Sequence, residues 1–227
     1  MTDAGLGPTA PRGRLILLLI GAVGAGKGTQ AGLLSAELGV PHLASGNLFR
    51  QALRDSTPLG ERARAFMERG DLVPDDVTIA MFMDELSRPE AARGAILDGF
   101  PRTVNQADAL DATLDEQGER ISRAIYVDVP NDELVARVSG RSVCPKCGTV
   151  YHDVTDPPRV PGICDRDGTP LVRRDDDRPE VVRARLDKQV PPMLEVVEHY
   201  RQAGSLSRID GLQPIADVLR DIKEALA

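Results

Sequence analysis

The chain has 227 residues, with 28 lysines and arginines against 35 aspartates and glutamates, for a formal net charge of −7. This length allows one α/β core with inserted subdomains but hardly a second independent domain. The acidic balance argues against a nucleic-acid or anionic-membrane surface, and no apolar run is long enough to span a bilayer. Three cysteines, an odd number, favour a metal site in a reducing compartment, so we expect a cytoplasmic protein.

A strand, a glycine-rich loop and a helix follow one another near the N-terminus. Residues 1–13 are rich in glycine and proline, and we expect a disordered tail there. Leu15–Ile20 is apolar throughout, as in a strand buried on both faces of a parallel sheet. The loop reads GAVGAGKGTQ from Gly21, and an apolar helical pattern runs over Thr29–Leu38. This order predicts a P-loop, in which backbone N–H groups, a helix N-terminus and the ammonium of Lys27 surround a phosphate.

The next stretch contains a short strand and then only helices. Val40–Ala44 is apolar enough for the strand, in which we interpret His42 as a strand residue rather than a metal ligand. Ser45 is placed as the N-cap of the first helix. Because residues 45–73 contain no strand of their own, they predict a helical flap inserted into the sheet domain.

A carboxylate and an arginine follow the next apolar strand, in the sequence Ala95-Ile96-Leu97-Asp98-Gly99-Phe100-Pro101-Arg102. Open α/β sheets bind their ligands at the carboxyl ends of their strands, where Asp98 would lie. The sequence therefore predicts that Asp98 holds Mg²⁺, directly or through water, and that the turn presents Arg102. Taken alone, the motif is equally compatible with an ordinary strand and turn in which Asp98 is a cap.

The second half of the chain supplies the remaining elements of the sheet domain and one polar insertion. Strands and helices are predicted at Asn105–Gln117, Ile125–Val129, Asn131–Ser139, Pro179–His199, Leu206–Ile209 and Pro214–Leu226. We expect Pro191 and Pro192 to bend or interrupt the long helix. Residues 142–177 are rich in proline, glycine, aspartate and arginine, and a polar loop of this length fits a compact domain only as a functional lid.

All three cysteines lie in this polar insertion. Cys144 and Cys147 form a Cys-x-x-Cys pair, and Cys164-Asp165-Arg166-Asp167 repeats the spacing with a carboxylate in the last place. Two such knuckles indicate a zinc ribbon, with Asp167 as the fourth ligand and His152 as the competing candidate. A redox role is disfavoured because the βαβ context of redox Cys-x-x-Cys motifs is missing.

The Gly-Lys-Gly-Thr-Gln ending of the P-loop, the Asp-Gly-Phe-Pro-Arg stretch, the arginines of the insertion and the final Asp210-Gly211 turn occur together in this order. In that combination the chain resembles adenylate kinases from Leu15 to its C-terminus, in their longer-lid bacterial form. The resemblance implies transfer between ATP·Mg²⁺ and AMP to give two ADP, by a monomer that binds neither nucleic acid nor membrane. It also implies a structural Zn²⁺ in the lid.

The resemblance implies three sets of functional residues, and the cysteine knuckles add a fourth. The catalytic set is Lys27, Arg102, Arg141, Arg174 and Arg185. ATP would contact Gly24, Ala25, Gly26, Lys27, Gly28, Thr29, Arg137, Arg141, Val150, Tyr151 and Gln213, with Thr29 and Asp98 associated with Mg²⁺. AMP would contact Ser45, Arg50, Asp71, Leu72, Val73, Gly99, Phe100, Pro101, Arg102, Gln106, Arg174 and Arg185. Zinc would be held by Cys144, Cys147, Cys164 and Asp167.

Three positions depart from the family pattern. Val23 stands where proline is usual in the P-loop, Asn47 replaces the usual aspartate, and Ser142 follows Arg141 where relatives often have a second arginine. The change at Asn47 puts in doubt any part of the Mg²⁺–water network that uses that carboxylate. None of the three removes a group that the proposed chemistry requires.

The predicted architecture is a P-loop NTPase-type, five-stranded parallel sheet flanked by helices. A core domain would comprise residues 14–44, 74–140 and 179–227, with a monophosphate-binding flap at 45–73 and a zinc-ribbon-like lid at 141–178. Two alternative functions remain. One is a kinase for GMP, UMP or CMP, or one that uses GTP as donor. The other is a P-loop switch or zinc-ribbon nucleic-acid binder without turnover, which the acidic balance and the 3% aromatic content disfavour.

Overall fold

The structure is a computed structural model that describes residues 13–69, 71–174 and 177–226. Its central sheet has five parallel strands in the order β2-β3-β1-β4-β7. The strands are β1 (Leu15–Ile20), β2 (His42–Ala44), β3 (Gly94–Asp98), β4 (Arg123–Asp128) and β7 (Leu206–Asp210). This confirms the predicted α/β class and its five-stranded parallel sheet. The predicted tail lies, apart from Gly13, outside the described residues.

Alternation along β1 explains how one strand serves two cores. Ile16 and Leu18 pack into a cluster with helices of one face, whereas Leu17 and Leu19 pack into a cluster on the other face. All four side chains are almost completely buried. Since neighbouring side chains of a strand point to opposite faces, a fully apolar run is what a sheet covered on both faces requires.

Eight helices surround the sheet among the described residues. They are α1 (Lys27–Leu38), α2 (Ser45–Arg54), α3 (Pro58–Glu68), α4 (Asp75–Ser87), α5 (Val104–Glu116), α6 (Asn131–Ser139), α7 (Pro179–Gln202) and α8 (Ile215–Leu226). Helices α4 and α5 pack on one face of the sheet and α1, α6 and α8 on the other, while α7 contributes to both clusters.

Of the bend or interruption expected at Pro191 and Pro192, the interruption is wrong, because α7 continues through both prolines. Pro191 and Pro192 remove the N–H groups that would bond the carbonyls of residues 187 and 188. Asp187, Lys188 and Pro191 are exposed, so water can take over these carbonyls. Met193 and Val196 are buried just beyond, and this packing favours the continuous helix.

The prediction of Ser45 as an N-cap is also wrong. Ala44 occupies the cap position of α2, and Ser45 is the first residue of the helix. The hydroxyl of Ser45 instead accepts a hydrogen bond from Arg102 Nη2 at 3.0 Å. A side chain that sequence rules assign to local capping is thus used in a long-range contact with the turn after β3.

The polar insertion forms a second, smaller sheet of β5 (Arg141–Val143) and β6 (Val150–His152), which pair antiparallel. Its buried cluster consists of Cys144, Tyr151 and Cys164, with Leu171 packed against them. A cluster of this size buries little apolar surface, so a metal at the cysteines would add much of the cohesion. No helix in the described part of the chain is long and apolar enough to cross a membrane.

The close approach of α2 and α3 depends on Gly60. A Cβ placed there would lie 2.4 Å from the carbonyl carbon and oxygen of Ala52. We expect Gly60→Ala to lower the free energy of unfolding by about 1–3 kcal/mol, because the two backbones must separate. In the matched helical control Gly32→Ala, the added Cβ meets no heavy atom within 4 Å, so stability should hold or rise by up to about 1 kcal/mol. Urea denaturation compares the two, and equal stabilities would contradict the packing argument.

Candidate active site

A cavity of about 700 Å³ opens at the carboxyl ends of β1, β2 and β3. Seven cationic side chains line it, against two carboxylates. The cations are Lys27, Arg50, Arg102, Arg141, Arg166, Arg174 and Arg185, and the carboxylates are Asp98 and Asp156. In a chain whose net charge is −7, this is a local reversal of sign that favours an anionic ligand.

The cavity brings together most of the residues predicted for phosphate and metal binding. Those that line it are Gly24, Gly26, Lys27, Gly28, Thr29, Ser45, Arg50, Asp98, Gly99, Pro101, Arg102, Arg141, Val150, Arg174 and Arg185. A smaller adjoining pocket adds Asp71, Leu72, Val73 and Gln106. The remaining predicted residues, Ala25, Phe100, Arg137, Tyr151 and Gln213, line neither space.

These five residues have other contacts. Phe100 stacks on Phe82 in the core with ring centroids 4.2 Å apart. Arg137 donates to the Gly211 carbonyl, and the Gln213 amide donates to Asp221. The hydroxyl of Tyr151 accepts from the backbone N–H of Asp165, and Ala25 is buried in the core.

The P-loop leads into the N-terminus of α1, and two of its glycines have left-handed backbone conformations. Gly24 has φ 88° and Gly26 has φ 91°. A Cβ on Gly24 would also lie 2.8 Å from a methyl group of Val138 and 2.9 Å from the Leu134 carbonyl of α6. Glycine is required here for both conformation and space.

Lys27 is the half-buried cation of this loop, and its ammonium donates to the Ala22 carbonyl at 2.9 Å. Burial, opposed by the charge of Asp98 and reinforced by nearby arginines, lowers the pKa of Lys27 to about 8. Burial and the neighbouring arginines therefore destabilise the ammonium form of Lys27.

Asp98 is the last residue of β3, and its carboxylate has a hydrogen-bonding partner that the sequence analysis did not predict. His42 Nε2 lies 3.1 Å from Asp98 Oδ2. Burial alone would raise the pKa of Asp98, but the contact with His42 and the charge of Lys27 outweigh it, so that the pKa lies below its usual range. The parallel pairing of β2 with β3 brings the two residues together, a signal that appears only once the strand order is known.

Arg102 is held at several atoms. Its Nε donates to the Gly99 carbonyl at 2.8 Å and its Nη1 to Gln189 Oε1 at 3.1 Å, in addition to the bond with Ser45. Burial, and then the charge of Arg185, lower the pKa of Arg102 to about 10. Gln189 was not predicted, although it follows Arg185 by four residues on α7 and therefore shares its face.

The insertion and α7 also contribute arginines to the lining of the cavity. Arg141, at the start of β5, forms a two-point ion pair with Asp177, whose side chain is buried. In α2, Asn47 Oδ1 accepts from Arg50 at 2.8 Å.

A donor set for a metal lies within the insertion. The sulfur atoms of Cys144, Cys147 and Cys164 and a carboxylate oxygen of Asp167 all lie within 4.8 Å of one another. Two ligand sulfurs of a tetrahedral zinc at about 2.3 Å are roughly 3.8 Å apart, and Cys147 and Cys164 are 3.6 Å apart. The residues therefore fit Zn²⁺. His152 is not part of this cluster, and its Nδ1 accepts from the backbone of Val154.

The parallel sheet and the cationic cavity define a class of protein. A glycine-rich loop with a lysine at the start of a helix, in a cavity lined by several arginines and two carboxylates, is typical of the P-loop nucleotide-binding proteins that move phosphoryl groups.

Comparison with known proteins specifies the family. The adenylate kinase family model matches residues 19–205. The adenylate kinase of Oceanobacillus iheyensis is 44% identical over 210 residues, which is 92% of this chain and 98% of that protein. Those of Exiguobacterium sibiricum and Staphylococcus aureus are each 43% identical over the same shares. The chain belongs to the adenylate kinase family of nucleoside monophosphate kinases, whose reaction is ATP + AMP = 2 ADP. This confirms the resemblance drawn from the motifs.

The pKa of Lys27 predicts a pH dependence of nucleotide affinity. A triphosphate held by Lys27 needs the ammonium form, which the free protein loses as the pH rises through about 8. We expect the Kd of ATP to rise by up to about tenfold per pH unit above 8. Calorimetric titration between pH 7 and 9.5 measures it.

The Lys27→Arg variant is the control for this titration, since a guanidinium stays charged and should flatten the dependence. A wild-type affinity that is constant from pH 7 to 9.5 would contradict the combination of a Lys27 that titrates near pH 8 and a phosphate bound to its ammonium.

Proposed function

We propose that this protein catalyses the Mg²⁺-dependent transfer of a phosphoryl group from ATP to AMP, with the residues predicted above. The observation that carries the proposal is the cavity lined by seven cations in an acidic chain. Phosphoryl transfer leaves little covalent work for a protein, so positioning and charge stabilisation are the main requirements. A cavity of this composition supplies both.

On the ATP side, the backbone from Gly24 to Thr29 would surround the phosphates and Lys27 would neutralise the transferred group. Thr29 and Asp98 line the same cavity, and their oxygens suit Mg²⁺, which prefers hard oxygen ligands. Mg²⁺ bound there would neutralise phosphate charge. His42 would keep the Asp98 carboxylate oriented toward the cavity.

On the AMP side, Arg102 and Arg50 would bind the phosphate, since a guanidinium fork fits two phosphate oxygens at once. The base would enter the smaller pocket, whose lining includes Phe49, Leu72, Val73 and the Gln106 amide. Apolar side chains beside a few polar groups are suited to a flat heteroaromatic ring.

The flap at 45–73 and the lid at 141–178 would close over the bound nucleotides. Closure would bring Arg141 and Arg174 to the phosphates and exclude water, which would otherwise compete with AMP for the phosphoryl group. Arg141 pairs with Asp177, so phosphate would have to replace that carboxylate. One chain supplies every residue of the proposed site, so a monomer would suffice. Its three free cysteines suit the reducing cytoplasm.

Zn²⁺ held by Cys144, Cys147, Cys164 and Asp167 would stabilise the lid without entering the reaction. Four protein ligands leave no open position, as in structural zinc sites. The small buried cluster around Tyr151 would then depend on the metal for its rigidity.

Formation of ADP tests the proposed reaction. A coupled assay should show ADP from ATP, Mg²⁺ and AMP, with lower kcat/KM for GMP, UMP and CMP. Lys27→Met should lower kcat by roughly 10³-fold while the protein stays folded. Lys223→Met, on the surface of α8 beside Glu37, is the matched control and should leave kcat unchanged. A preference for another monophosphate would favour the alternative kinase, and no turnover with any would favour a P-loop switch.

Metal analysis tests the zinc site. The purified wild-type protein should contain one zinc per chain after metal-replete expression. Cys164→Ser should bind less than half a zinc and melt about 5 °C or more lower, yet keep substantial activity at low temperature. Asp165→Asn, a non-ligand in the same turn, should change neither value. Less than half a zinc per chain in the wild type would exclude the site.

A further inference from the structure

The smaller pocket contains one buried amide whose orientation is fixed by its surroundings. Gln106 is 1% exposed and lines this pocket beside Leu72 and Val73. An amide presents a donor on one side and an acceptor on the other, so its orientation decides which hydrogen-bonding edge of a ligand it matches. The contacts that fix this orientation therefore bear on which base the pocket accepts.

Two contacts fix the amide in the same sense. The backbone N–H of Arg102 donates to Gln106 Oε1 at 2.8 Å, and Gln106 Nε2 donates to Asp75 Oδ1 at 2.7 Å. A backbone N–H can only donate and a carboxylate can only accept. Rotating the amide by 180° would oppose donor to donor at Arg102 and acceptor to acceptor at Asp75.

Asp75 is itself held in place. Its other oxygen, Oδ2, accepts from the Thr103 hydroxyl at 2.9 Å, and Thr103 Oγ1 accepts from the backbone N–H of Gln106. The carboxylate thus joins the N-terminus of α4 to the N-terminus of α5, which carries Gln106. This arrangement leaves little freedom for the amide.

The amide retains one N–H on Nε2 and one lone pair on Oε1. A 6-aminopurine presents an acceptor at N1 and a donor at its exocyclic amine, which match that N–H and that lone pair. A 6-oxopurine presents the reverse, a donor at N1 and an acceptor at O6. With its orientation fixed, Gln106 would face a 6-oxopurine with donor against donor at N1 and acceptor against acceptor at O6. A buried polar mismatch of this kind is costly.

We propose that Asp75 is a positioning residue that makes the monophosphate site select a 6-aminopurine over a 6-oxopurine. It acts through Gln106 and does not itself contact the nucleotide. The inference rests on the proposed function, in which Gln106 faces the base of AMP. No sequence motif marks Asp75, which by position alone is an acidic residue in the first turn of a helix.

Steady-state kinetics with AMP and with IMP, its 6-oxo analogue, test the proposal at saturating ATP·Mg²⁺. The variants are Asp75→Ala, Asp75→Asn and Asp76→Ala. Asp76 follows in the same helical turn but pairs with Arg62 at the surface, so its variant controls for helix and charge effects. An asparagine at 75 can still accept from Gln106 and donate to Thr103, so it should preserve the orientation.

We expect Asp75→Ala to lower kcat/KM for AMP by about tenfold, mainly through KM, with little change for IMP and for the KM of ATP. The AMP-to-IMP ratio of kcat/KM should therefore fall about tenfold. Asp75→Asn should keep this ratio within about threefold of the wild type, and Asp76→Ala should not change it. If Asp75→Ala does not fold, Asp75→Ser gives the same comparison, since its hydroxyl is too short to replace the carboxylate.

An unchanged AMP-to-IMP ratio of kcat/KM in the folded Asp75→Ala or Asp75→Ser variant would overturn the proposal, whether both values stay the same or both fall equally. A wild-type enzyme that uses AMP and IMP equally well would also overturn it. In those cases the wild type still forms ADP from AMP and the proposed function stands. A wild type that does not phosphorylate AMP would refute the proposed function and this inference together.

Discussion

The structure depends on holding several positive charges within one cavity. Burial lowers the pKa of Lys27 to about 8 and that of Arg102 to about 10, and each arginine nearby lowers the pKa of Lys27 further. Such a site is costly without an anion, and the fold offsets part of the cost with carboxylates. Asp98 lies against Lys27 and His42, and Asp177 pairs with Arg141. The cations of the proposed phosphate site thus have carboxylates and carbonyls of the protein as partners, which a nucleotide would replace.

The sheet topology explains why these charges meet. Parallel strands place all of their carboxyl ends at one edge, so the P-loop after β1, Ser45 after β2 and Asp98 at the end of β3 face the same space. Arg185 enters from α7, whose N-terminal half packs on one face of the sheet and whose C-terminal half packs on the other. The insertion after α6 forms a small sheet of its own, and it supplies Arg141, Arg166 and Arg174 to the cavity.

The sequence predicted what local patterns encode. The strand Leu15–Ile20, the P-loop and the cysteine knuckles are each specified by neighbouring residues, and all are present. What it missed depends on pairs distant in sequence. His42 meets Asp98 only through the pairing of β2 with β3, and Asp75 meets Gln106 only because α4 and α5 pack together. Ser45 failed as a cap for the same reason, since a distant guanidinium binds its hydroxyl. Local propensity cannot register such partners.

We propose above all that the cationic cavity holds the phosphates of both nucleotides in line. The most direct measurement is calorimetric titration with a dinucleotide in which five phosphates join two adenosines, followed by competition with ATP and with AMP. We expect one molecule to bind per chain and to displace both nucleotides, because its phosphates would span the ATP side and the AMP side of the cavity. Binding of two molecules per chain, or displacement of only one of the nucleotides, would contradict it.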